Sequence, residues 1–295
     1  EMGPLRVDTV RVGLLLRESS SSRLGVIQAV REINNKTDGI ADTLLPRTTL
    51  QLAYRDSGCT SSVATVGSLY LLGSAFQRQG VQAIIGAECS SSSIPAANLA
   101  SASTVPIISP GSTTHILSDS TSYPYFMRTV SSTTKQAEPM VDVLVNLFGY
   151  SSVAMASSTS SSASSGATAF STFANLVNLK IRIHSTFSTS SISYDDTFRE
   201  LRQTGARVIV LFCDTRHSGR FLREAYQSPY GQIGGPGYMW FGSPSMGVDQ
   251  RWWMEDPQLA TNRPLRESIM KGFFAVGLNF KTNLPEYQAF LVRRR

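Results

Sequence analysis

The feature that most constrains the fold is a stretch in the first half of the chain where two strand-to-loop passages follow each other. Apolar runs at 81–85 and 105–109 have the length of short buried strands, and residues 94–102 between them have the small side chains of a packed helix. Strand, helix and strand in this order predict two neighbouring parallel strands. The loops that leave them, 86–93 and 110–114, then lie at one edge of a sheet, where open α/β sheets collect ligands.

Both loops are rich in hydroxyl groups, since residues 90–92 and 112–114 are all Ser or Thr. A helix N-terminus offers unpaired N–H groups and a positive potential, so the two loops together suit a carboxylate or a similar anion. A run of serines before a helix is also typical of an N-cap with solvated neighbours. The residues alone leave both interpretations open.

The same alternation of strands and helices extends through the rest of the chain. Towards the N-terminus we predict strands at 10–16 and 49–54 and helices at 23–34 and 61–76. After Arg128 the pattern starts again. The predicted helices there are 136–148, 166–176, 194–204 and 219–226, and the predicted strands are 152–156, 180–185, 207–212, 238–242 and 271–276.

This pattern predicts an α/β protein with two lobes, each a doubly wound and mainly parallel sheet. Lobe 1 is expected to begin with residues 1–128, lobe 2 to comprise 129–276, and the chain to return to lobe 1 at 277–295. Residues 129–134 are the predicted first hinge crossing. The low-complexity segment 157–165, SSTSSSASS, has no apolar anchors, so we expect a mobile loop at the rim of a cleft.

Composition excludes several classes of protein. The 295 residues are 41% hydrophobic, which is enough to build a sizeable core. No stretch reaches the roughly 18 apolar residues that a membrane span needs, and the first residues do not read as a signal peptide. The net charge is +6, but only 16% of the residues are charged and the basic ones are scattered, so no nucleic-acid partner is expected.

Cysteines, histidines and catalytic motifs are few. Three cysteines allow one disulfide and a leftover thiol, and together with three histidines they match no metal-binding spacing, so neither a metal nor a cofactor is expected. No nucleophile-elbow, Walker or dinucleotide motif follows a predicted strand, and we therefore expect no enzymatic activity. Asn35 opens a glycosylation sequon, Asn-Lys-Thr, in a predicted exposed loop.

Several segments together carry a family resemblance. Residues 86–119 read GAECSSSSIPAANLASASTVPIISPGSTTHILSD, and the chain also contains VRVGLLLRESSSSRLGVIQAVREIN, YPYFMRTV, FGYSSVAMA, ARVIVLFCDT and MKGFFAVG. In this order they resemble the receptor-family ligand-binding region over almost the whole chain. That region is the two-lobed, type I periplasmic-binding-protein-like module of class C G-protein-coupled receptors, receptor guanylate cyclases and glutamate-gated channels.

The resemblance is strongest to class C receptors of the γ-aminobutyrate type B and metabotropic glutamate type. It implies the extracellular ligand-binding domain of a membrane receptor, which holds a small anionic or amino-acid-like ligand between its lobes and signals by lobe closure. It also implies a receptor dimer through lobe 1 and a longer protein on the extracellular side of the cell membrane. The alternatives are the ectodomain of a receptor guanylate cyclase or ligand-gated channel, and a freestanding solute-binding protein of a transporter.

The family also implies roles for individual residues of the first lobe. Its disulfide position falls on Cys59 and Cys89, which leaves Cys213 as a reduced core thiol. Ser90 and Thr113 fall on the two principal ligand hydroxyl positions. Beside them lie residues whose backbone N–H groups are expected to add donors: Ser91, Gly111 and Ser112.

The second lobe departs from the family pattern. Where amino-acid receptors place an acid and an aromatic side chain for the ligand ammonium, this chain has Thr133 and Ser162, and Pro244 stands where a further acid is expected. Ser162 is therefore a candidate contact. Further candidates near the strand ends are Asp214, Tyr194 and Trp240, although Asp214 equally suits the N-cap of the following helix.

Overall fold

The computed structural model describes residues 8–73, 79–230, 232–248, 252–277 and 283–293. Packing divides the chain into two compact units. Unit 1 consists of Glu1–Ser131 and Lys281–Arg295, and unit 2 consists of Ser132–Phe280. The end of the predicted helix 61–76 and most of the predicted return crossing at 277–283 lie outside the described residues.

Unit 1 alternates strands and helices. The strands are β1 (Asp8–Leu15), β2 (Thr48–Arg55), β3 (Ala83–Gly86), β4 (Ile107–Ser109) and β5 (Phe126–Arg128). The helices are α1 (Ser21–Asn34), α2 (Ser61–Leu71), α3 (Ser90–Ala102) and, at the end of the chain, α11 (Pro285–Arg293), with a 3₁₀ turn at His115–Ser118. The strands form one parallel sheet in the order β2-β1-β3-β4-β5.

Unit 2 repeats this plan. Its strands are β6 (Ser152–Ser158), β7 (Lys180–Phe187), β8 (Val208–Phe212), β9 (Met239–Gly242) and β10 (Phe273–Ala275). Its helices are α4 (Thr133–Asp142), α5 (Ser161–Leu176), α6 (Asp195–Gln203), α7 (Thr215–Gln227), α8 (Pro244–Val248), α9 (Pro257–Thr261) and α10 (Arg263–Met270), with a π-helical turn at Val143–Leu147 and a 3₁₀ turn at Trp252–Glu255. The parallel sheet has the order β7-β6-β8-β9-β10, which is the order of unit 1.

These two parallel sheets confirm the predicted α/β fold. The strand β8 shows why the prediction works, because all of its residues are buried. Ile209 and Leu211 pack into one core cluster of unit 2, while Val210 and Phe212 pack into another. A strand covered on both faces is apolar throughout, and that is the pattern read from the sequence.

The prediction that the serine-rich segment 157–165 is a mobile loop was wrong, because most of it belongs to a strand and a helix. β6 continues through Ser158, and α5 begins at Ser161. Ser157 and Ser158 are buried, and the Ser157 hydroxyl lies 2.7 Å from Nε2 of His184. The reason is a helical spacing of buried residues that the serines hide: Ala163, Ala167, Phe170 and Ala174.

Other boundaries also differ from the predictions. α3 begins at Ser90 rather than at residue 94, because the N–H groups of Ser92 and Ser93 already bond to the Cys89 carbonyl at 3.1 and 2.9 Å. α7 begins at Thr215, four residues before the predicted start at 219. The predicted helix 136–148 corresponds to α4 and the π-helical turn. The edge strand β5 was not predicted, because three residues are too few to show a period.

Candidate functional site

The hydroxyl-rich loops lie at the carboxyl edge of the unit 1 sheet. β3 and β4 are paired in parallel, with Ile84 opposite Ile107, so the loops that follow them meet. Their common anchor is the Ala87 carbonyl, which accepts hydroxyl hydrogen bonds from Ser93 at 2.9 Å, Ser109 at 2.5 Å and Ser112 at 3.3 Å. Serines in this region therefore fasten one loop to the other.

Ser90 joins the start of α3 to the second loop. Its hydroxyl oxygen accepts a hydrogen bond from the Thr114 N–H at 3.3 Å, and the residue is 6% exposed. Because this bond uses an acceptor site of Oγ, the hydroxyl proton stays available to a ligand. Ser90 and Ser91 are also the first residues of α3, where N–H groups precede the first intrahelical bonds.

The second loop presents Thr113, which is partly exposed. Among the described residues no hydrogen bond involves its side chain. The N–H groups of Gly111 and Ser112, expected to face a ligand, donate instead to the Ser109 hydroxyl at 3.3 and 2.9 Å. Thr114 is fully buried, and its hydroxyl has no hydrogen-bond partner in the structure.

Gly111 lies where the two loops approach most closely. A Cβ atom at this position would stand 2.7 Å from the Glu88 carbonyl oxygen and 3.1 Å from its Cγ. A side chain at residue 111 would therefore push the loops apart.

The β2–α2 loop is tied to the same edge. Cys59 and Cys89 form a disulfide, as the family resemblance implies, with their Cα atoms 5.4 Å apart. The Ser91 hydroxyl donates to the Cys59 carbonyl at 3.1 Å. In return, the Ser61 hydroxyl donates at 2.9 Å to the Ser91 carbonyl, which the missing N–H of Pro95 leaves without its usual helical partner.

Three charged residues that sequence reasoning missed complete this edge. The Glu88 carboxylate accepts hydrogen bonds from the hydroxyls of Ser20 and Ser22 at 3.0 and 3.2 Å and pairs with Arg17 Nε at 3.3 Å. Arg17 is 71 residues away along the chain, so no local pattern indicates the pair. The third charged residue is Arg128, the last residue of β5.

Arg128 is the last residue of β5, and its side chain holds the loop 110–114 by hydrogen bonds to backbone carbonyls. Its Nη1 donates to the carbonyls of Ser112 at 3.3 Å and Thr114 at 2.8 Å, and burial lowers the pKa of its guanidinium. The interaction holds the backbone on either side of Thr113. Because the three-residue strand β5 was not predicted, no sequence signal indicated this role of Arg128.

A cavity of about 420 Å³ adjoins the loops at the ends of β1 and β2. Arg17, Glu18, Ser19, Asp56 and Gly58 line it. The charges of Glu18 and Asp56 make this part of the edge acidic, in contrast to the hydroxyl and N–H donors around Ser90.

In unit 2 the predicted polar residues lie at the carboxyl edge of that unit's own sheet. Ser162 is in the first turn of α5, and the buried hydroxyl of Thr133 lies 2.7 Å from that of Ser165. Asp214 occupies the N-cap position of α7, but its carboxylate lies 2.6 Å from Nδ1 of His217 and makes no capping bond.

The prediction that aromatic residues of unit 2 contact a ligand was wrong. Tyr194 and Trp240 are each 2% exposed and belong to the hydrophobic core, so neither presents a face to a ligand. Trp240 Nε1 donates to the Ile233 carbonyl at 2.8 Å. Cys213, directly after β8, is the buried free thiol that was predicted. Its burial, and to a smaller extent the negative charge of Asp214, raise the pKa of the thiol.

Among the described residues, no group of three or more His, Cys, Asp or Glu side chains is placed to hold a metal ion. No helix in the part of the chain that the structure describes is long and apolar enough to cross a membrane. The Asn35 side chain is exposed in the turn after α1, where it bonds to Asp38 at 3.0 Å.

Comparison with known proteins gives consistent results. The family model "Receptor family ligand binding region" matches residues 22–295. The chain is 24% identical over 280 residues to taste receptor type 1 member 2 of Mus musculus, covering 90% of the chain and 31% of that receptor. It is 29% identical over 257 residues to metabotropic glutamate receptor 4 of Macaca fascicularis, covering 80% of the chain and 27% of the receptor.

A third relative is a probable metabotropic glutamate receptor of Caenorhabditis elegans, 32% identical over 154 residues, which are 50% of the chain and 15% of that protein. The chain therefore spans less than a third of the length of each of these relatives. All three relatives are receptors by name.

Proposed function

This chain belongs to the receptor family ligand-binding region, and we propose that it is the extracellular ligand-binding domain of a class C membrane receptor. The observation that carries the proposal is the carboxyl edge of unit 1. There the residues Ser90 and Thr113 follow two neighbouring strands, and hydroxyl hydrogen bonds hold the segments that carry them together. A disulfide and an ion pair tie the loop after β3 to the loops after β2 and β1. Such prearranged donors suit a small ligand.

The ligand group held at this edge is an anion, such as a carboxylate. The Ser90 hydroxyl keeps its proton for a ligand, and the Thr113 hydroxyl has no protein partner among the described residues. The start of α3 adds the N–H groups of Ser90 and Ser91 and the positive end of the helix dipole. No side-chain charge is needed for recognition of this kind.

The ligand need not carry an ammonium group. Thr133, Ser162 and Pro244 stand where amino-acid receptors of the family place acidic and aromatic partners for the amine. Burying an ammonium without a carboxylate costs several kcal/mol because lost hydration is not replaced. Asp214 is the remaining acid of unit 2 that we assign to an amine if one is present, and it is already paired with His217.

Signalling follows from closure of two lobes on the ligand. We assign residues 1–128 and 277–295 to lobe 1 and 129–276 to lobe 2, with the ligand bound first by lobe 1. A ligand that gains contacts with lobe 2 only in the closed state shifts the population by that difference in affinity. In the receptor, lobe 1 forms the dimer contact and Asn35 carries a glycan. The domain lies on the extracellular side of the cell membrane, and the receptor as a whole couples to a G protein.

Calorimetry on the secreted chain tests the function. Matched pairs of ligands, α-amino acids and the corresponding carboxylic acids without the amine, are titrated under the same conditions. We expect the acids to bind without the amine and small-angle scattering to show a smaller radius of gyration in the bound state. Absence of binding to every carboxylate would contradict the proposal, and a strict requirement for the amine would move attention to Asp214, tested by Asp214→Asn.

A further inference from the structure

The second large cavity lies in unit 2, away from the carboxyl edge of its sheet. It has a volume of about 520 Å³ and is lined by Ser151, Ser152, Lys180, Arg182 and Thr204. Ser152 begins β6 and Lys180 begins β7, so the cavity stands at the amino edge of the sheet, whereas ligands of parallel sheets collect at the other edge. The receptor function proposed above makes no use of it.

The lining is basic and polar. Lys180 and Arg182 are exposed, and no carboxylate is among the described residues that form the cavity wall. In the described parts of the chain, neither cation has an ion-pair partner. Two positive charges that share an open cavity without a counter-charge repel each other, and an anion between them relieves this repulsion.

Arg182 is held in place by the protein itself. Its Nε donates to the Ser152 hydroxyl at 3.1 Å, and its Nη1 donates to the Thr204 carbonyl at 3.1 Å. These bonds use two of the five guanidinium donors and fix the plane of the group, which leaves Nη2 free to bind an oxyanion. The hydroxyls of Ser151 and Ser152 supply further donors, whereas the Thr204 hydroxyl donates to the Leu201 carbonyl at 2.6 Å.

The positive charges also extend along the edge. Lys180 and Arg182 are two residues apart on β7, an outer strand of the sheet, so their side chains leave the same face about 7 Å apart. Arg207 directly precedes β8, and its guanidinium lies over the Tyr238 ring at 4.5 Å. A row of separated cations suits a chain of anionic groups better than a single small ion.

We propose that this cavity is a binding site for the oxyanion groups of a sulfated polysaccharide, with Lys180 and Arg182 as the residues that bind a sulfate. Surface plasmon resonance on the full chain tests it with a heparin-derived hexasaccharide, an unsulfated hyaluronan hexasaccharide and inorganic sulfate. We expect binding of the first, which weakens as salt increases, and much weaker binding of the other two.

The variant Lys180→Ala should weaken binding of the heparin hexasaccharide roughly tenfold, because it removes a charged hydrogen bond. The control is Lys135→Ala, an exposed lysine in the first turn of α4 of the same unit and outside the cavity wall, which should bind as the unchanged protein does. Equal thermal midpoints of both variants exclude a folding defect. Equal affinities of both variants, or binding of inorganic sulfate as tight as that of the hexasaccharide, would overturn the proposal.

Discussion

The two units share one strand order but fix their carboxyl edges by different means. In unit 1 the core around β3 and α3 consists mainly of small and aliphatic side chains such as Ala96, Ala97 and Ile84, together with the aromatic Tyr123. A disulfide joins the loops that follow β2 and β3. In unit 2 the core contains a cluster of aromatic rings around Phe221, and the cysteine at the edge is a free buried thiol. The same topology therefore draws its stability from different sources.

The difference has a functional meaning. A site that recognises a ligand with hydroxyls and N–H groups needs loops that do not move. Unit 1 meets this need with covalent and hydrogen-bonded ties between loops, from Cys59 to the Ala87 carbonyl. At the edge of unit 2 the corresponding ties are noncovalent: the Thr133 hydroxyl joins α4 to Ser165 of α5, and Asp214 pairs with His217 at the start of α7. The edge of unit 1 is thus braced by a covalent bond in addition to hydrogen bonds, as the proposed recognition by hydroxyl and N–H groups requires.

The aromatic core of unit 2 gives the largest expected effect. Phe221 is fully buried, with its ring centroid 4.2 Å from that of Phe187 and 5.1 Å from that of Phe198. Phe221→Ala should lower the free energy of unfolding by about 3–5 kcal/mol, because it leaves a cavity. Hydrogen exchange should show the loss in unit 2 and leave unit 1 protected. Ile192→Ala, at a residue 98% exposed, is the control.

Removal of the disulfide should destabilise unit 1 instead. Cys59 and Cys89 are separated by 30 residues, and opening a loop of this size costs about 3–4 kcal/mol in the chain-entropy model. The variant with Cys59→Ser and Cys89→Ser should show this loss by chemical denaturation. Dithiothreitol should lower the stability of the unchanged protein to the same level and leave the variant unaffected. A loss confined to unit 2 would contradict the comparison.

Gly111 tests how closely the loops of unit 1 must approach. Gly111→Ala places a methyl group 2.7 Å from the Glu88 carbonyl oxygen and should cost about 1–3 kcal/mol of stability. It should also weaken carboxylate binding, since the loops that carry Ser90 and Thr113 move apart. An unchanged affinity in Gly111→Ala would show that the loop spacing is irrelevant.

The smallest expected effect is a dependence on pH within unit 2. Partial burial of its imidazole lowers the pKa of His184 from its ordinary value of 6.5, so the unfolded chain binds a proton more readily than the folded one. Stability is therefore kept above that ordinary value and is lost as the pH falls towards the lowered pKa. His184→Gln should flatten the unfolding free energy between about pH 7 and pH 5. The same slope in both proteins would refute this assignment.

Much of the fold follows from the sequence. Strands such as β8 are recognisable because burial on both faces makes every residue apolar. The start of α5 was missed because serines occupy its first turn and conceal the spacing of the buried Ala163 and Ala167. β5 was missed because an edge strand of three residues has no detectable period.

The sequence predicted the residues of the candidate site that belong to a recognisable loop or family motif, but not the contacts between residues that are distant along the chain. Ser90 and Thr113 were located from their loops and from the family resemblance, and the disulfide followed from the same resemblance. The ties made by Glu88 and Arg128 join residues distant in sequence or in different elements, so no local pattern could indicate them. The engagement of the Gly111 and Ser112 N–H groups by Ser109 likewise depends on the folded loop.

The claim that unit 1 recognises an anion through Ser90 is tested most directly by a pair of adjacent variants. Ser90→Ala removes a hydroxyl whose proton is free for a ligand, whereas Ser91→Ala removes one that donates to the Cys59 carbonyl at 3.1 Å and leaves the backbone N–H in place. In calorimetry with a carboxylic acid that the unchanged protein binds, Ser90→Ala and Thr113→Ala should each lose affinity roughly ten- to hundredfold relative to the unchanged protein. Ser91→Ala should change the affinity little. Equal affinities of Ser90→Ala and Ser91→Ala would contradict the account.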